Sequence, residues 1–296
     1  MKSKAQFSLE QLAAFVTTSD EGSFKQAAIK LGKHATTVSQ QVATLEIDLG
    51  FQLFERKVRK IHLTQQGQEF YRYAKPVLVE SMHLSSKLAA MEMHQPDSFT
   101  LALDVTVRDR QLLRCVKAMT AQFPTLAISV LSGDPLQVAQ WVREGQADVG
   151  IITTLFQNLP QLTVKQLFNF ELVYVASPKW LADKDKVSEQ DIRQFPQIIY
   201  QFVEQTPQLS GHILANRHFT AKNLADLMDL VALNMGWAIV PRYRVEEYLE
   251  SGELALFTVD GAANVNWFTE LLLPADTVAN SAVAAFIEQV KTLSDR

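Results

Sequence analysis

Short polar side chains crowd one stretch of the chain, between residues 36 and 44. They are Thr36, Thr37, Ser39, Gln40, Gln41 and Thr44. Hydroxyls and amides of this length can reach base edges in the major groove, where Gln pairs with adenine and Ser or Thr accepts several partners. The chemistry that this pattern indicates is the reading of a DNA sequence.

Two helices must position these side chains. A first helix is predicted from apolar residues at helical spacing (Phe24, Ala27, Ala28 and Leu31), and a second from Val38, Val42 and Leu45. Gly32 lies between them and tolerates the left-handed conformation that ends a helix. Residues 22–45 therefore predict a helix-turn-helix. The alternative is an ordinary helical hairpin with a solvated polar face.

Cations surround this motif. Candidate phosphate or wing contacts are Ser23, Lys25, Lys33, Arg56, Lys57, Arg59 and Lys60. The last four follow the apolar anchors Phe51, Leu53 and Phe54 and precede a strand-like alternation, which predicts a wing lying along the phosphates. Most basic clusters are solvated loops, and that alternative applies here too. His34 is a candidate phosphate contact or, equally, a helix cap.

The net charge of −4 over 296 residues is unevenly distributed. Residues 1–65 hold nine Lys/Arg and six Asp/Glu, whereas residues 94–296 hold 16 Lys/Arg and 23 Asp/Glu. A polyanionic partner is therefore expected at the N-terminal end. The length fits about two domains. Without a signal-peptide pattern or an apolar run of ~18 residues, a cytoplasmic protein is expected.

A long helix with a heptad seam is predicted after residue 64, capped by Thr64. Its seam residues are separated by alternating steps of four and three: Phe70, Ala74, Val77, Ser81, Leu84, Leu88 and Met91. A small winged domain cannot bury so long a seam, so self-association is expected. A twofold dimer would place two recognition helices on one face of the duplex. The alternative is a long core helix packed within one subunit.

Strands and helices alternate beyond residue 98, which predicts a parallel sheet flanked by helices. Ligands of such sheets bind beyond the carboxyl ends of the strands. That rule selects as effector-binding candidates Asp104, Val105, Thr106, Gly133, Asp134, Thr153, Thr154, Tyr200, Gln201 and Phe202.

Residues 7–92 resemble the N-terminal region of LysR-type transcriptional regulators, through FSLEQLAAFVTTSDEGSFKQAAIKLG, TTVSQQVATLEIDLGFQLFER and LTQQGQEF. The chain departs from the common family pattern at His34-Ala35 and at Gln40, which implies a different operator preference. The rest of the chain resembles the effector-binding domain of the family, which is similar to periplasmic binding proteins.

The resemblance implies a winged helix-turn-helix (1–65), a linker and dimerisation helix (66–93) and a two-lobed α/β effector-binding domain (97–296). Lobe I would comprise 97–164 and 267–296, and lobe II 165–266. The resemblance also implies a sequence-specific regulator that assembles as a dimer or tetramer, responds to a small molecule and has RNA polymerase as a possible partner. It places ligand contacts at or near Asp104, Thr106, Gly133, Thr153 and Gln201.

Asp104 stands where many family members use small hydroxyl residues to bind carboxylates. A carboxylate in a cleft disfavours an anion, so a neutral or cationic effector is expected, with Arg108 as a possible partner for Asp104. The alternative is that Asp104 caps the following helix or pairs locally.

Other functional classes find less support in the sequence. No nucleophile elbow, zinc-protease motif, P-loop or dinucleotide fingerprint occurs, and the six histidines are scattered, so neither an enzyme nor a metal or other cofactor is predicted. A non-specific DNA-packaging protein would not need the large acidic domain. A regulator that responds to redox state through the single cysteine, Cys115, stays open, although a buried apolar role is favoured.

Overall fold

A computed structural model describes residues 7–55, 61–93, 95–182, 184–261, 265–275 and 279–296. The chain divides into two compact units, Met1–His94 and Gln95–Arg296. Within the described residues, no helix has both the length and the apolar character needed to cross a membrane.

The N-terminal unit contains the predicted helix-turn-helix. Its elements are α1 (Leu9–Glu21), α2 (Phe24–Leu31), α3 (Ala35–Leu49), β1 (Phe54–Glu55), β2 (His62–Leu63) and α4 (Gln65–Glu92). As expected, Gly32 ends α2 in the left-handed conformation, with φ +62°. Thr64 caps α4 by accepting a hydrogen bond from the backbone N–H of Gly67. Helix α1, which the sequence analysis does not predict, begins with a capping box between Ser8 and Gln11.

Phe15 on α1 lies at the centre of the N-terminal core. Its ring is 5.4 Å from that of Phe54 and 5.5 Å from that of Phe70, which joins α1 to β1 and α4. Gly67 lets the first turn of α4 approach the wing closely, because a Cβ there would overlap the backbone carbonyl of Leu53. Packing of apolar and small residues thus fixes α3 and the wing on one frame.

The C-terminal unit alternates strands and helices. Its elements are β3 (Ser98–Asp104), α5 (Arg110–Gln122), β4 (Ala127–Gly133), α6 (Pro135–Arg143), β5 (Val149–Thr153), β6 (Leu162–Ala176), α7 (Pro178–Leu181), β7 (Lys186–Val187), α8 (Glu189–Gln194), β8 (Gln197–Tyr200), α9 (Gln201–Gln205), β9 (His218–Ala221), α10 (Leu224–Ala232), β10 (Trp237–Pro241), α11 (Glu246–Glu250), β11 (Ala255–Val259), β12 (Val265–Pro274) and α12 (Ser281–Val290), with 3₁₀ turns at Pro207–His212 and Arg242–Arg244.

The sheet runs β4-β3-β5-β12-β6-β10-β8-β9, with β11 also pairing with β6 and β7. β4, β3 and β5 are parallel, and so are β9, β8 and β10, whereas β12 and β6 pair antiparallel with their neighbours. The two parallel groups form the two lobes of the predicted fold, and the β12–β6 pair joins them. The lobe border expected between residues 164 and 165 falls inside β6.

The pairing of β6 with β12 is irregular where the strand passes between the lobes. Its register shifts between Phe268 and Glu270. The hydroxyl of Thr269, which is fully buried, accepts a hydrogen bond from the Phe168 N–H at 3.3 Å and donates one to the Phe168 carbonyl at 3.2 Å. A side chain therefore takes over hydrogen bonds that the bulge removes from the ladder.

Two apolar segments read as strands from the sequence, ELVYVASP from residue 171 and PQIIYQF over residues 196–202, and the structure differs from both. Strand β6 begins earlier, at Leu162, because its polar residues Lys165, Gln166 and Asn169 hide the strand pattern. The second segment ends as a strand at Tyr200, and Gln201 begins a short helix.

Candidate functional site

The exposed face of α3 carries most of the predicted base-reading side chains. Thr36, Thr37, Ser39 and Gln40 are all exposed in the first two turns of the helix. Thr44 is exposed one turn further on, but its hydroxyl donates to the Gln40 carbonyl at 3.0 Å. The group best placed for contacts with base edges is therefore the first four residues.

Glu10 on α1 holds two of the predicted DNA contacts. Its Oε2 accepts a hydrogen bond from Gln41 Nε2 at 2.7 Å and lies 3.0 Å from Lys33 Nζ. The hydrogen bond from Lys33 lowers the pKa of Glu10. Gln41 is half-buried, and its Oε1 is buried without a hydrogen-bond partner. Gln41 was grouped with the base-reading residues, but its side chain packs against α1 and does not join the exposed set.

The remaining DNA-binding candidates lie around α2 and the wing. Lys25 is exposed, and Ser23 is half-buried at the N-cap position of α2 without a side-chain capping bond. His34 is exposed at the N-cap position of α3, also without such a bond. Arg56, Lys57, Arg59 and Lys60 lie outside the described residues.

Strands β1 and β2 flank the basic segment 56–60 as an antiparallel pair with Phe54 opposite Leu63. Glu46 on α3 accepts hydrogen bonds from the backbone N–H groups of Leu53, at 2.6 Å, and Phe54, at 3.2 Å. These bonds anchor the predicted wing directly to the helix that bears the polar face.

The heptad seam of α4 is largely uncovered in the single chain. Val77, Leu84, Leu88 and Met91 are 47%, 61%, 53% and 60% exposed. The start of the seam packs within the single chain, where Ala74 is buried and Phe70 packs against the N-terminal core. An exposed apolar stripe of this length marks an interaction surface.

A cavity in the C-terminal unit lies at the carboxyl ends of strands from both lobes. The space between its lining atoms is about 490 Å³, part of it open to solvent. Four of the predicted effector contacts line it: Thr106, Thr153, Tyr200 and Phe202. The other lining residues are Phe170, Leu172, Gln197, Ile198, Ile199, Val203, His212, Ile239, Pro241 and Trp267. The cavity has the mostly apolar lining, with a few polar groups, that is typical of small-molecule sites.

Asp104 lies behind this cavity and not on its wall. It is fully buried, and its carboxylate accepts hydrogen bonds from the Thr106 N–H at 2.8 Å, the Thr106 hydroxyl at 2.6 Å and the Thr153 N–H at 2.8 Å. Burial raises the pKa of Asp104 to about 6, against the lowering effect of these donors. The expected contact with a ligand, and the expected pairing with the Arg108 side chain, are replaced by local pairing.

The other predicted effector contacts have structural partners of their own. Asp134 caps α6 by accepting the N–H of Gln137 at 2.8 Å, and buried Thr154 donates to Glu270 at 3.0 Å. The backbone N–H of Val105 donates to the Gly133 carbonyl at 3.0 Å. None of these residues, nor half-buried Gln201, lines the cavity.

Two polar groups of the cavity have no partner. Thr153 Oγ1 and Tyr200 Oη are buried and make no hydrogen bond. Burial raises the pKa of Tyr200, nearby Asp104 raises it further, and Arg244 acts in the opposite direction. Because an unsatisfied buried hydroxyl is unfavourable, both groups are suited to a ligand that supplies a donor or acceptor.

Sequence reasoning missed Gln197, His212 and Trp267. The Gln197 amide donates to the His212 carbonyl at 2.8 Å and accepts from the Leu214 N–H at 2.7 Å, so it shapes the wall and is not free for a ligand. Burial lowers the pKa of His212, whose ring meets Trp267 edge to face at 4.8 Å. No sequence motif marks these residues, because they come from separate elements.

Comparisons with known proteins find a family model for each of the two units. A family model described as LysR substrate binding domain matches residues 94–294, and one described as bacterial regulatory helix-turn-helix protein, lysR family, matches residues 9–68. The HTH-type transcriptional regulator AceR of Acinetobacter baumannii is 25% identical over 291 residues, 95% of this chain and 96% of its own length.

Two solved structures have the same fold. CrgA, a LysR-type transcriptional regulator from Neisseria meningitidis, matches with a TM-score of 0.54 at 19% identity, covering 97% of this chain and 98% of its own. Full-length CbnR complexed with its target DNA matches with a TM-score of 0.52 at 19% identity, covering 96% of this chain and 99% of its own.

Glu10→Gln should tighten binding to DNA of any sequence by a few-fold, because it releases Lys33 for a phosphate. The slope of log affinity against log salt should steepen by about one. Glu21→Gln is the matched control, since it removes the same charge from a pair with Lys30 at 2.6 Å. Equal gains from both variants, measured by fluorescence anisotropy, would argue against a special role for Lys33.

Asp104 should make the C-terminal unit more stable at acid pH than at neutral pH. Its folded pKa of about 6 lies above the unfolded value of 3.8, so its stabilising contribution is full below pH 4 and is lost as the pH rises through 6. The unfolding free energy of the native chain minus that of Asp104→Asn should fall by on the order of 3 kcal/mol across this range. Urea denaturation at stepped pH measures it, and a constant difference contradicts the expectation.

Proposed function

The chain belongs to the LysR family of DNA-binding transcriptional regulators, and on that premise we propose that it is a dimeric or tetrameric regulator controlled by a small uncharged molecule. The molecule would bind in the cavity of the C-terminal unit. The observation that carries this proposal is the pair of unpartnered hydroxyls, Thr153 Oγ1 and Tyr200 Oη, in an otherwise apolar pocket.

The seam on α4 supports a dimer. Its exposed residues recur at the heptad spacing that two helices use to bury a common stripe. A twofold pair would present two α3 helices to half-sites about 34–36 Å apart. The tetramer, and any contact with RNA polymerase, are expectations that come from the family resemblance.

The exposure of the side chains suggests separate roles for them on the DNA. Thr36, Thr37, Ser39 and Gln40 are free to reach base edges, so they would carry sequence preference. Lys25 and the basic segment 56–60 would supply phosphate contacts, which act on all sequences alike. Gln41 would act by fixing α3 against α1, through its hydrogen bond to Glu10.

The cavity favours an uncharged effector over an ionic one. Among the described residues, no Lys, Arg, Asp or Glu lines it. Asp104 raises the pKa of the Tyr200 hydroxyl and Arg244 lowers it, so charges of both signs act on this group from outside the lining. The neutral-or-cationic effector expected from the sequence is thereby narrowed to a neutral molecule with one hydrogen-bonding group and an apolar body.

The position of the cavity suggests how an effector would act. Thr106 and Thr153 belong to one lobe, whereas Ile198 and Tyr200 belong to the other. A ligand that bridges them favours one relative orientation of the lobes. In an oligomer, that preference would change which half-sites are held and how far the DNA bends.

Two rival functions receive less support. Cys115 is buried in the core of the C-terminal unit, and burial raises the pKa of its thiol, which opposes the thiolate that redox sensing needs. A DNA-packaging protein has no use for a ligand cavity built from two lobes.

Leu84→Lys should convert the dimer to monomers, because it puts a charge at the middle of the seam. His83→Lys is the control, since it adds a lysine at the neighbouring exposed position outside the seam. Sedimentation velocity should show the monomer only for Leu84→Lys, together with a loss of operator affinity of tenfold or more. A dimeric Leu84→Lys would place the interface elsewhere.

Benzyl alcohol should bind more tightly than benzylamine or benzoate, which carry the same ring with a cationic or an anionic head group, as measured by calorimetry on the full chain. Thr153→Val and Tyr200→Phe should each weaken benzyl alcohol about two- to tenfold, the value of one hydrogen bond. Tyr248→Phe, on α11 away from the cavity, is the control. Benzoate binding as tightly as benzyl alcohol would overturn the uncharged class.

A further inference from the structure

An arginine-rich groove lies on the C-terminal unit, apart from the cavity. Half of its lining residues are arginines: Arg110, Arg114, Arg242, Arg244 and Arg296, together with Asp109, Gln111, Tyr243, Glu246 and Glu247. The space between these residues is about 1290 Å³, part of it open to solvent. The groove and the cavity share no lining residue.

Arg296 lines this groove with a buried side chain, and its guanidinium has more N–H donors than nearby hydrogen-bond acceptors. Its side chain is 6% exposed, pairs with Asp109 and stacks on the ring of Phe168 at 4.2 Å and that of Tyr243 at 5.2 Å. These contacts leave its Nε and Nη2 buried with no hydrogen-bond partner. The ring faces stabilise the charge but cannot accept from these in-plane N–H groups.

Further donors of the groove are also unused. Arg244 Nε is buried without a partner, and within the described residues no carboxylate pairs with Arg244, Arg110 or Arg114. Arg110 and Arg114 are exposed one turn apart on α5, so their guanidiniums can act together. Three carboxylates face the same groove, and one of them, Asp109, is already paired.

The groove spans the junction of the two lobes. The Arg296 N–H donates to the Asn169 carbonyl at 2.9 Å, and the Glu171 N–H donates to the Arg296 carbonyl at 3.0 Å, which fixes Arg296 on β6. Arg110 and Arg114 come from α5 in the first lobe. Arg242 and Arg244 follow β10 in the second lobe.

We propose that this groove binds a small oxyanion, the phosphate or carboxylate group of a metabolite, and that the bound anion ties the two lobes together at their junction. Guanidinium groups bind both kinds of oxyanion through paired N–H donors. This site is distinct from the effector cavity, and the proposal does not depend on whether the cavity binds an effector.

Isothermal titration of the full chain with inorganic phosphate and with succinate tests the proposal, with sodium chloride holding the ionic strength constant. One phosphate or one succinate per chain should bind. Arg110→Gln/Arg114→Gln and Arg244→Gln should each weaken that binding tenfold or more. Arg193→Gln, which removes an exposed arginine from α8, should leave it unchanged.

If Arg244→Gln fails to fold, the double variant Arg110→Gln/Arg114→Gln still tests the proposal, because both of its residues are exposed. Phosphate binding alone would support a phosphorylated ligand, and succinate binding alone a carboxylated one. Binding of neither anion overturns the proposal, and so does binding that survives in the groove variants, since that would place the anion on the basic N-terminal unit. Loss of benzyl alcohol binding bears only on the cavity.

Discussion

Antiparallel pairing of β6 with β12 is the constraint on which the C-terminal unit depends. Residues 162–172 of β6 pair with β12, and residues 172–176 pair with β10 and β11 in the second lobe. One continuous strand, paired along its whole length, therefore crosses from lobe to lobe. Such a strand holds the lobes together, and sheets of this kind are twisted. At the bulge, the hydroxyl of Thr269 takes the place of a backbone partner, and a bulge of this kind increases the local twist of the strands.

The cavity and the arginine-rich groove both flank this crossing. Phe170 and Trp267, one from each strand of the ladder, line the cavity, and Arg296 is bound to β6 beside the groove. Each feature also keeps buried donors unpaired in the free chain, which is unfavourable for the empty protein. A ligand that satisfies those donors stabilises whichever twist of the ladder brings them together. The same geometry thus connects occupancy with lobe orientation.

Hydrophobic periodicity predicts the helices and strands that have one apolar face. It does not predict segments that lack such a face. The helices α2, α3 and α4 are predicted because packing requires an apolar stripe on one face of a helix. The early part of β6 is half-buried or exposed, with Val164, Lys165 and Gln166 exposed in succession, so it shows no such face.

The sequence predicts where a candidate site residue lies in its strand or helix, but not every group with which its side chain pairs. Asp104 lies at the carboxyl end of β3 as predicted, and its pairing with Thr106 matches the local alternative, but its third partner, the N–H of Thr153, lies 49 residues further along the chain. Glu10 drew no attention in the sequence, although tertiary contact with Lys33 and Gln41 puts a negative charge beside the DNA-reading helix. The fold decides which donors surround a carboxylate, and those donors determine whether it repels a ligand, supports a loop or restrains a neighbouring lysine.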